Sequence, residues 1–430
     1  MLRSTRRVLA FTAGTLATIT LSLSLTIAQE SVDIPTLVGR AVLPADTFAQ
    51  GPATGAQIAP DANLNGRTAP FESHPVQGVS AILPADSEGN WFVLSDNGFG
   101  ARANSGDYLL RFYEVRPDWT AGTVEVIGFT QLSDPNNLAA FPIVNEDTED
   151  RLLTGADFDI ESFRRAPDGT FWVGEEFGPY LLQFSAEGVL LQAPIPTPYP
   201  EILSEFARGL DTVQSPDHPD FVALADADAR RAAANLPGSR GFEGMALNTS
   251  GTTLYTMLEG PLFEDTDQRR LLIQAFDIAT STYTGDFWFY TMSANSNAIG
   301  ELTAINDNEL LVIERDGGEG NNAAFKRVYR VDLTNVGDDG HTMNKTLVVD
   351  LLALHDAQGL TQPEAGAVGL GPVFKFPFVT IESVYAIDAT TLVIVNDNNY
   401  PFSAGRRPGV QPDDTEFILI RLPEALNLSM

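Results

Sequence analysis

The chain has 430 residues, 43% of them hydrophobic, no cysteine, and a formal charge of −31. That is ample material for a large core, but it excludes disulfides, thiolate metal centres and a lipidated cysteine. The negative field also disfavours nucleic acid and anionic membranes as partners.

Residues 1–28 differ from the rest. Arg3, Arg6 and Arg7 precede an apolar run from Val8 to Ala28, and the small residues near Ala28 suit a signal peptidase. An uncleaved anchor helix is the rival reading, weakened by the serines and threonines that interrupt the run. The expectation is a signal peptide over 1–28, a single domain over 29–430, and a periplasmic or secreted monomer with no stable membrane insertion after cleavage. Because residues 1–28 hold three arginines and no acid, the remainder carries −34.

Residues 29–76 are rich in Ala, Pro, Gly, Asp and Asn, with one strand-like run at Thr36 to Leu43. A hairpin grammar then repeats five times. QGVSAIL (Gln77 to Leu83) precedes WFVLSDNG (Trp91 to Gly98), and DFDIESF (Asp157 to Phe163) precedes TFWVGEEFG (Thr170 to Gly178). GFEGMAL (Gly241 to Leu247) precedes LYTMLEG (Leu254 to Gly260), and IGELTAI (Ile299 to Ile305) precedes LLVIERD (Leu310 to Asp316). TIESVYAI (Thr380 to Ile387) precedes LVIVNDN (Leu392 to Asn398). Taking Ser80, Glu161, Glu243, Glu301 and Glu382 as equivalent, the intervals are 81, 82, 58 and 81 residues, too long for a short solenoid repeat.

Most units continue into two further strands, as in YLLRFYEV (Tyr108 to Val115) and TVEVIGFTQL (Thr123 to Leu132). Four strands in sequence separated by turn chemistry match a propeller blade. The fold class is therefore all-β, a β-propeller of five visible four-stranded blades with room for a sixth. The fifth unit is one strand short, and the run at Thr36 to Leu43 is expected to fill that place and close the ring. Helical spacing of apolar residues between 200 and 236 predicts a helical insertion on one rim.

In such a ring, the strand ends bring Asp96, Asn97, Glu161, Glu175, Glu176, Glu243, Glu259, Glu314, Asp316, Glu382, Asp397 and Asn398 toward one mouth. Hard oxygen ligands from separate blades suit Ca²⁺, which takes about six to eight of them. Singly, each acid reads as a solvated turn residue; repetition favours a site. Arg102, Arg240 and Arg315 are the cations near these ends, suited to gripping a phosphoryl group or to pairing with a neighbouring acid. There is no G-x-S-x-G elbow, P-loop or dinucleotide fingerprint, and the four histidines lie outside the repeated hairpins.

VLSDNGFGARANSGDYLLRFYEV, DIESFRRAPDGTFWVGEEFGPYLLQF, RGFEGMAL, LLVIERD and IVNDNNYPFS together resemble the family described as having esterase-like activity of phytase, over roughly Gly39 to Leu422. The resemblance implies a β-propeller that hydrolyses phosphate esters, with bound Ca²⁺ offsetting substrate charge and a metal-activated water attacking phosphorus. It implies metal ligation by Asp96, Glu161, Glu243, Glu314, Asp316, Glu382 and Asp397, orientation of the water by Glu161, Glu175 or Glu176, and phosphoryl contact by Arg102, Arg240 or Arg315. The scarcity of lysine and arginine departs from a polyphosphate-binding rim and favours a simple phosphomonoester or diester. The alternative is a non-catalytic, Ca²⁺-stabilised binding propeller that recognises a ligand or protein at its rim.

Overall fold

The computed structural model describes residues 34–429; the segment read as a signal peptide lies outside them. Among these residues, no helix is long and apolar enough to cross a membrane.

Five four-stranded sheets surround a central axis. Blade one consists of Val79–Pro84, Trp91–Ser95, Arg111–Asp118 and Thr123–Gln131, and blade two of Ile160–Arg165, Phe171–Glu175, Tyr180–Phe184 and Ile195–Pro196. Blade three consists of Phe242–Leu247, Thr253–Leu258, Arg270–Asp277 and Thr282–Thr291, and blade four of Ala298–Ala304, Glu309–Arg315, Lys326–Val336 and Met343–Asp350. Blade five combines Ser383–Asp388, Thr391–Val395 and Thr415–Arg421 with the N-terminal strand Thr36–Leu43. Each innermost strand packs on the next, and that of blade five returns to blade one, so five blades close the ring with no place for a sixth.

Burial follows position. The strand Leu310 to Arg315 is buried throughout, whereas the outer strand Thr282–Thr291 faces water over most of its length. One apolar cluster fills each gap between blades. Phe112 meets Phe163 and Phe171 between blades one and two, and Leu311 and Ile313 meet Val384 and Ile394 between blades four and five.

Ring closure has a polar lock. Thr36–Leu43 runs antiparallel to Thr415–Arg421, pairing Leu43 with Thr415 and Thr36 with Arg421. Val42 also pairs in parallel with Thr123, joining the last blade to the first. Glu416, fully buried, accepts two hydrogen bonds from Arg40 at 2.8 and 2.9 Å and two from Arg406, both at 2.8 Å. Burial alone would raise the Glu416 carboxyl; Arg406 and Arg40 outweigh it and hold the group at about 2.

The insertion near 200–236 is less helical than its apolar spacing predicts. It forms two 3-10 segments, Glu201–Phe206 and Pro219–Phe221, and one α-helix, Ala227–Ala233. Prolines at 198, 200, 216 and 219 restrict longer helices. Leu203, Val213 and Leu236 fill the core between blades two and three, where the outer strand of blade two is only two residues long.

Arg406→Ala strands a buried carboxylate and is expected to cost about 3–5 kcal/mol in urea unfolding, against less than ~1 kcal/mol for Arg116→Ala in the exposed Arg116–Glu125 pair. Because the Glu416 carboxyl lies below its ordinary 4.5 in the fold, its stabilisation is complete above that pH and is lost as pH falls toward 2. That acid limb should flatten in Glu416→Gln, so equal slopes in both proteins would contradict the lock. In blade four, a Cβ on Gly300 would stand 2.0 Å from the Ile381 carbonyl oxygen of blade five. Gly300→Ala should therefore lower stability by about 1–3 kcal/mol, while Gly128→Ala, in open space, should change it by less than ~0.5 kcal/mol.

Candidate functional site: an acidic mouth on the propeller axis

The site is built by a bulge repeated in four of the five blades, with Glu382 at the corresponding place in the fifth. Val79 pairs with Ser95 and Ala81 with Leu94, leaving Ser80 as an extra residue. Ile160 and Ser162 pair with Glu175 and Gly174, leaving Glu161; Phe242 and Gly244 pair with Leu258 and Met257, leaving Glu243. Ile299 and Glu301 pair with Glu314 and Ile313, leaving Gly300. In blade five Ser383 pairs with Val395, and the Glu382 N–H also reaches the Val395 carbonyl at 3.3 Å. A bulge bends its strand and re-aims the extra side chain.

On the neighbouring strand, the residue two past the bulge partner is Asp96, Glu176, Glu259, Arg315 or Asp397 in the five blades in turn. All five line one cavity of about 230 Å³. Glu161 and Glu243 from the bulges and Glu382 from the corresponding place join them, with Asn97, Asp159, Ser239, Thr380 and Asn399.

Eight carboxyl groups thus share a small space with one guanidinium. Arg315 stands 3.3 Å from Glu382 and 3.6 Å from both Glu243 and Glu259. Burial pushes the Glu161 carboxyl well up, and the charges of Asp159, Glu243, Glu382 and Asp96 add to that. Burial likewise raises Asp96, with Asp397 and Asp159 contributing, and Glu176, with Glu259 contributing. Burial raises Asp159 and Asp397 to about 6, against hydrogen bonds that favour their ionised forms. Asp397 accepts from the Asn399 N–H at 2.7 Å and from Thr380 Oγ1 at 3.1 Å. Asp96 accepts from the Gly98 N–H at 2.8 Å.

Buried Oε1 atoms of Glu176 and Glu243 and the Nε–H of Arg315 have no hydrogen-bond partner among the described residues. Orphaned carboxylate oxygens in a cavity with hard oxygen donors on several sides fit a divalent cation by donor chemistry. The acids are not closed into a cage: among the described residues, no three are gathered closely enough to hold an ion directly. Ligation here would use bridging waters or side-chain rotation.

Several residues singled out in the sequence lie elsewhere. Glu175 turns into its own loop, accepting from the N–H groups of Phe177, Gly178 and Tyr180 at 2.7–2.8 Å. Burial pushes its carboxyl up to about 8, while those donors pull the other way. Glu314 faces between blades three and four, where Lys345, Tyr290 and Asn297 donate to it. Asp316 pairs with Lys326 at 2.9 Å, and Asn398 accepts from the Gly78 N–H. Glu301, taken as the fourth repeat mark, pairs with Arg164 at 2.9 Å deep in the channel. Of the arginines, Arg315 lines the cavity, Arg240 is 3.8 Å from Glu259 and does not line it, and Arg102 borders a separate cleft.

Asp159 and Ser239 were missed by the sequence reading. Asp159 stands two residues before the bulge and shared the apolar strand pattern. Ser239, which donates to Asp159 at 3.3 Å, precedes the third hairpin and has no counterpart in the repeat.

Comparison with known proteins finds one relative of 26% identity over 195 residues, an uncharacterized secreted protein of Arthroderma benhamiae. The match covers 40% of this chain and only 37% of that protein. Among solved structures, a GH43 β-1,3-galactosidase superposes with a TM-score of 0.40 at 12% identity, covering 88% of this chain and 94% of the other. Regucalcin from Agrobacterium tumefaciens strain C58 gives 0.34 at 11%, covering 91% and 96%. Superpositions this loose carry no argument about chemistry. Residues 74–400 match the phytase-like family described by esterase-like activity of phytase, and the chain belongs to that family.

Proposed function

We propose that the protein is an exported phosphoesterase that hydrolyses a phosphomonoester or phosphodiester at the acidic mouth with the help of Ca²⁺. The observation that carries this reading is the convergence of eight carboxyl groups from four blades, with one arginine from the remaining blade, on a single cavity. A chain this acidic repels a phosphate ester, so cations at the mouth are what would let such a substrate approach. Bound there, Ca²⁺ would supply charge neutralisation and Lewis acidity.

The chain's own residues take the following parts. Asp96, Glu161, Glu243, Glu382 and Asp397, joined by Asp159 and Glu176, would hold the cation through bridging waters or after side-chain rotation. Glu161, whose neighbours come from blades one, three and five as well as its own, orients the attacking water and accepts its proton. Arg315 offers its unpartnered Nε–H to a phosphoryl oxygen while the glutamates around it fix its position. A cavity of about 230 Å³ is smaller than the roughly 300–1,000 Å³ of a typical ligand pocket. It suits one phosphoryl group with its bearer outside, rather than a whole inositol polyphosphate.

The purified protein should cleave p-nitrophenyl phosphate or bis(p-nitrophenyl) phosphate, lose that activity to a chelator and regain it with Ca²⁺. Glu161→Gln should lower kcat by about 10²–10⁴-fold, the usual range for a positioned base. Ca²⁺ should also raise the melting temperature, a shift weakened in Glu243→Gln and Glu382→Gln. A rise in melting temperature with neither ester cleaved would establish the binding propeller instead.

A further inference from the structure

A second cavity of about 380 Å³ lies beside the mouth, between the loop after blade one's second strand and the insertion. The two are adjacent along the chain: Gly100 lines the mouth, and Arg102 lines the cleft. Asp217 forms part of the dividing wall; its charge bears on Asp159, and its backbone carbonyl accepts from Arg102 Nη1 at 2.7 Å.

Asp217 lines the cleft too, but there two arginines face one carboxylate, the reverse of the balance at the mouth. Arg102 and Arg230 line it, and neither forms an ion pair among the described residues, although acids outnumber lysine and arginine 57 to 26 in the chain. The Arg102 guanidinium lies 5.6 Å from the Phe177 ring. Burial lowers its pKa and the charge of Arg230 adds to this, against the acids nearby. The Arg230 side chain, on the short helix Ala227–Ala233, donates no hydrogen bond to a described residue. Val144 and Val222 line the same cleft, 51% and 43% exposed. Two guanidinium groups that form no ion pair, with Asp217 as the one carboxylate among the cleft's lining residues, leave positive charge that an oxyanion would match, and two valines left in water match an apolar body.

We propose that this cleft is a binding site for a small amphiphilic organic anion, an oxyanion carried on an aliphatic or aryl body, held by Arg102 and Arg230 against Val144 and Val222. It is separate from the acidic mouth, since the groups that recognise the ligand have the opposite charge and come from the insertion and its neighbouring loops. Its use as the seat for the organic half of an ester cleaved at the mouth rests on the phosphoesterase reading; the binding itself does not.

Calorimetric titration with hexanoate, acetate, hexyl phosphate, inorganic phosphate and hexanol separates the contributions. Hexanoate or hexyl phosphate should bind at least about tenfold more tightly than acetate or inorganic phosphate, a difference of ~1.4 kcal/mol, and hexanol should not bind. Tighter binding of hexanoate assigns a carboxylate, and tighter binding of hexyl phosphate a phosphate. Arg230→Gln, at a half-buried position on a short surface helix, should weaken the better ligand at least about tenfold without lowering the melting temperature. Val222→Asp should weaken it as well. Glu161→Gln should leave this binding unchanged while lowering any ester hydrolysis, so failure at one cavity is distinguishable from failure at the other. The proposal is overturned if neither amphiphile binds at millimolar concentration, if hexanol binds equally well, or if Arg230→Gln binds as the parent does.

Discussion

Acids that would repel one another when ionised are held together at the mouth, and the force that holds them is the packing of the ring. Two unit charges 4 Å apart cost about 4 kcal/mol at an effective dielectric of 20, and here eight carboxyl groups share one cavity. No local sequence preference gathers them. They are neighbours because each innermost strand packs on the next, because an apolar cluster fills every gap between blades, and because Glu416 with Arg40 and Arg406 fastens the last blade to the N-terminal strand. Stability concentrated in the walls is what lets the axis carry an arrangement that would otherwise fly apart.

Within the ring, the bulge decides which side chains face the cavity. Shifting a strand by one residue exchanges its two faces; a bulge makes that exchange locally and leaves the rest of the strand in register. In blades two and three the bulged residue is glutamate, in blade one it is Ser80, and in blade four it is Gly300; in blade five Glu382 stands just before the first paired residue, Ser383. Gly300 has no room for a side chain against Ile381, and the same blade sends Arg315 to the mouth in place of an acid. The ring is therefore acidic on four sides and basic on one. That asymmetry gives an anionic group a preferred direction of approach.

Much of this was legible in the residues. The repeated hairpins announced a propeller, the strand at Thr36 to Leu43 announced its closure, and three of the repeat marks, Ser80, Glu161 and Glu243, fall on the bulge. The errors share a cause. Taking Glu301 as the fourth mark aligned acids by identity, whereas the bulge in IGELTAI falls on the glycine one residue earlier. At strand ends such as Glu175-Glu176 and Glu314-Arg315-Asp316, successive side chains alternate faces, so only one of each run enters the cavity. The sequence shows that an acid stands at the end of a strand; the pairing register shows where it points. Asp159 was hidden by the reverse problem, a cavity-lining carboxylate inside a run whose apolar neighbours read as ordinary strand.

The buried acids also constrain how a cation would enter. Burial raises Asp96, Glu161, Glu176, Glu243 and Glu382 together, with Arg315 as the one guanidinium among the cavity's lining residues, so the fold alone works against ionising these groups. Hard cations bind carboxylates, not carboxylic acids, so loading the mouth and releasing protons are a single equilibrium. The acidic surface works in the same direction by drawing cations toward the axis before any ligand forms a bond. An arrangement poorly suited to an empty, fully ionised cavity is well suited to one whose charge is balanced from outside. The neighbouring cleft, lined by two arginines and one carboxylate, has the reverse balance of charge.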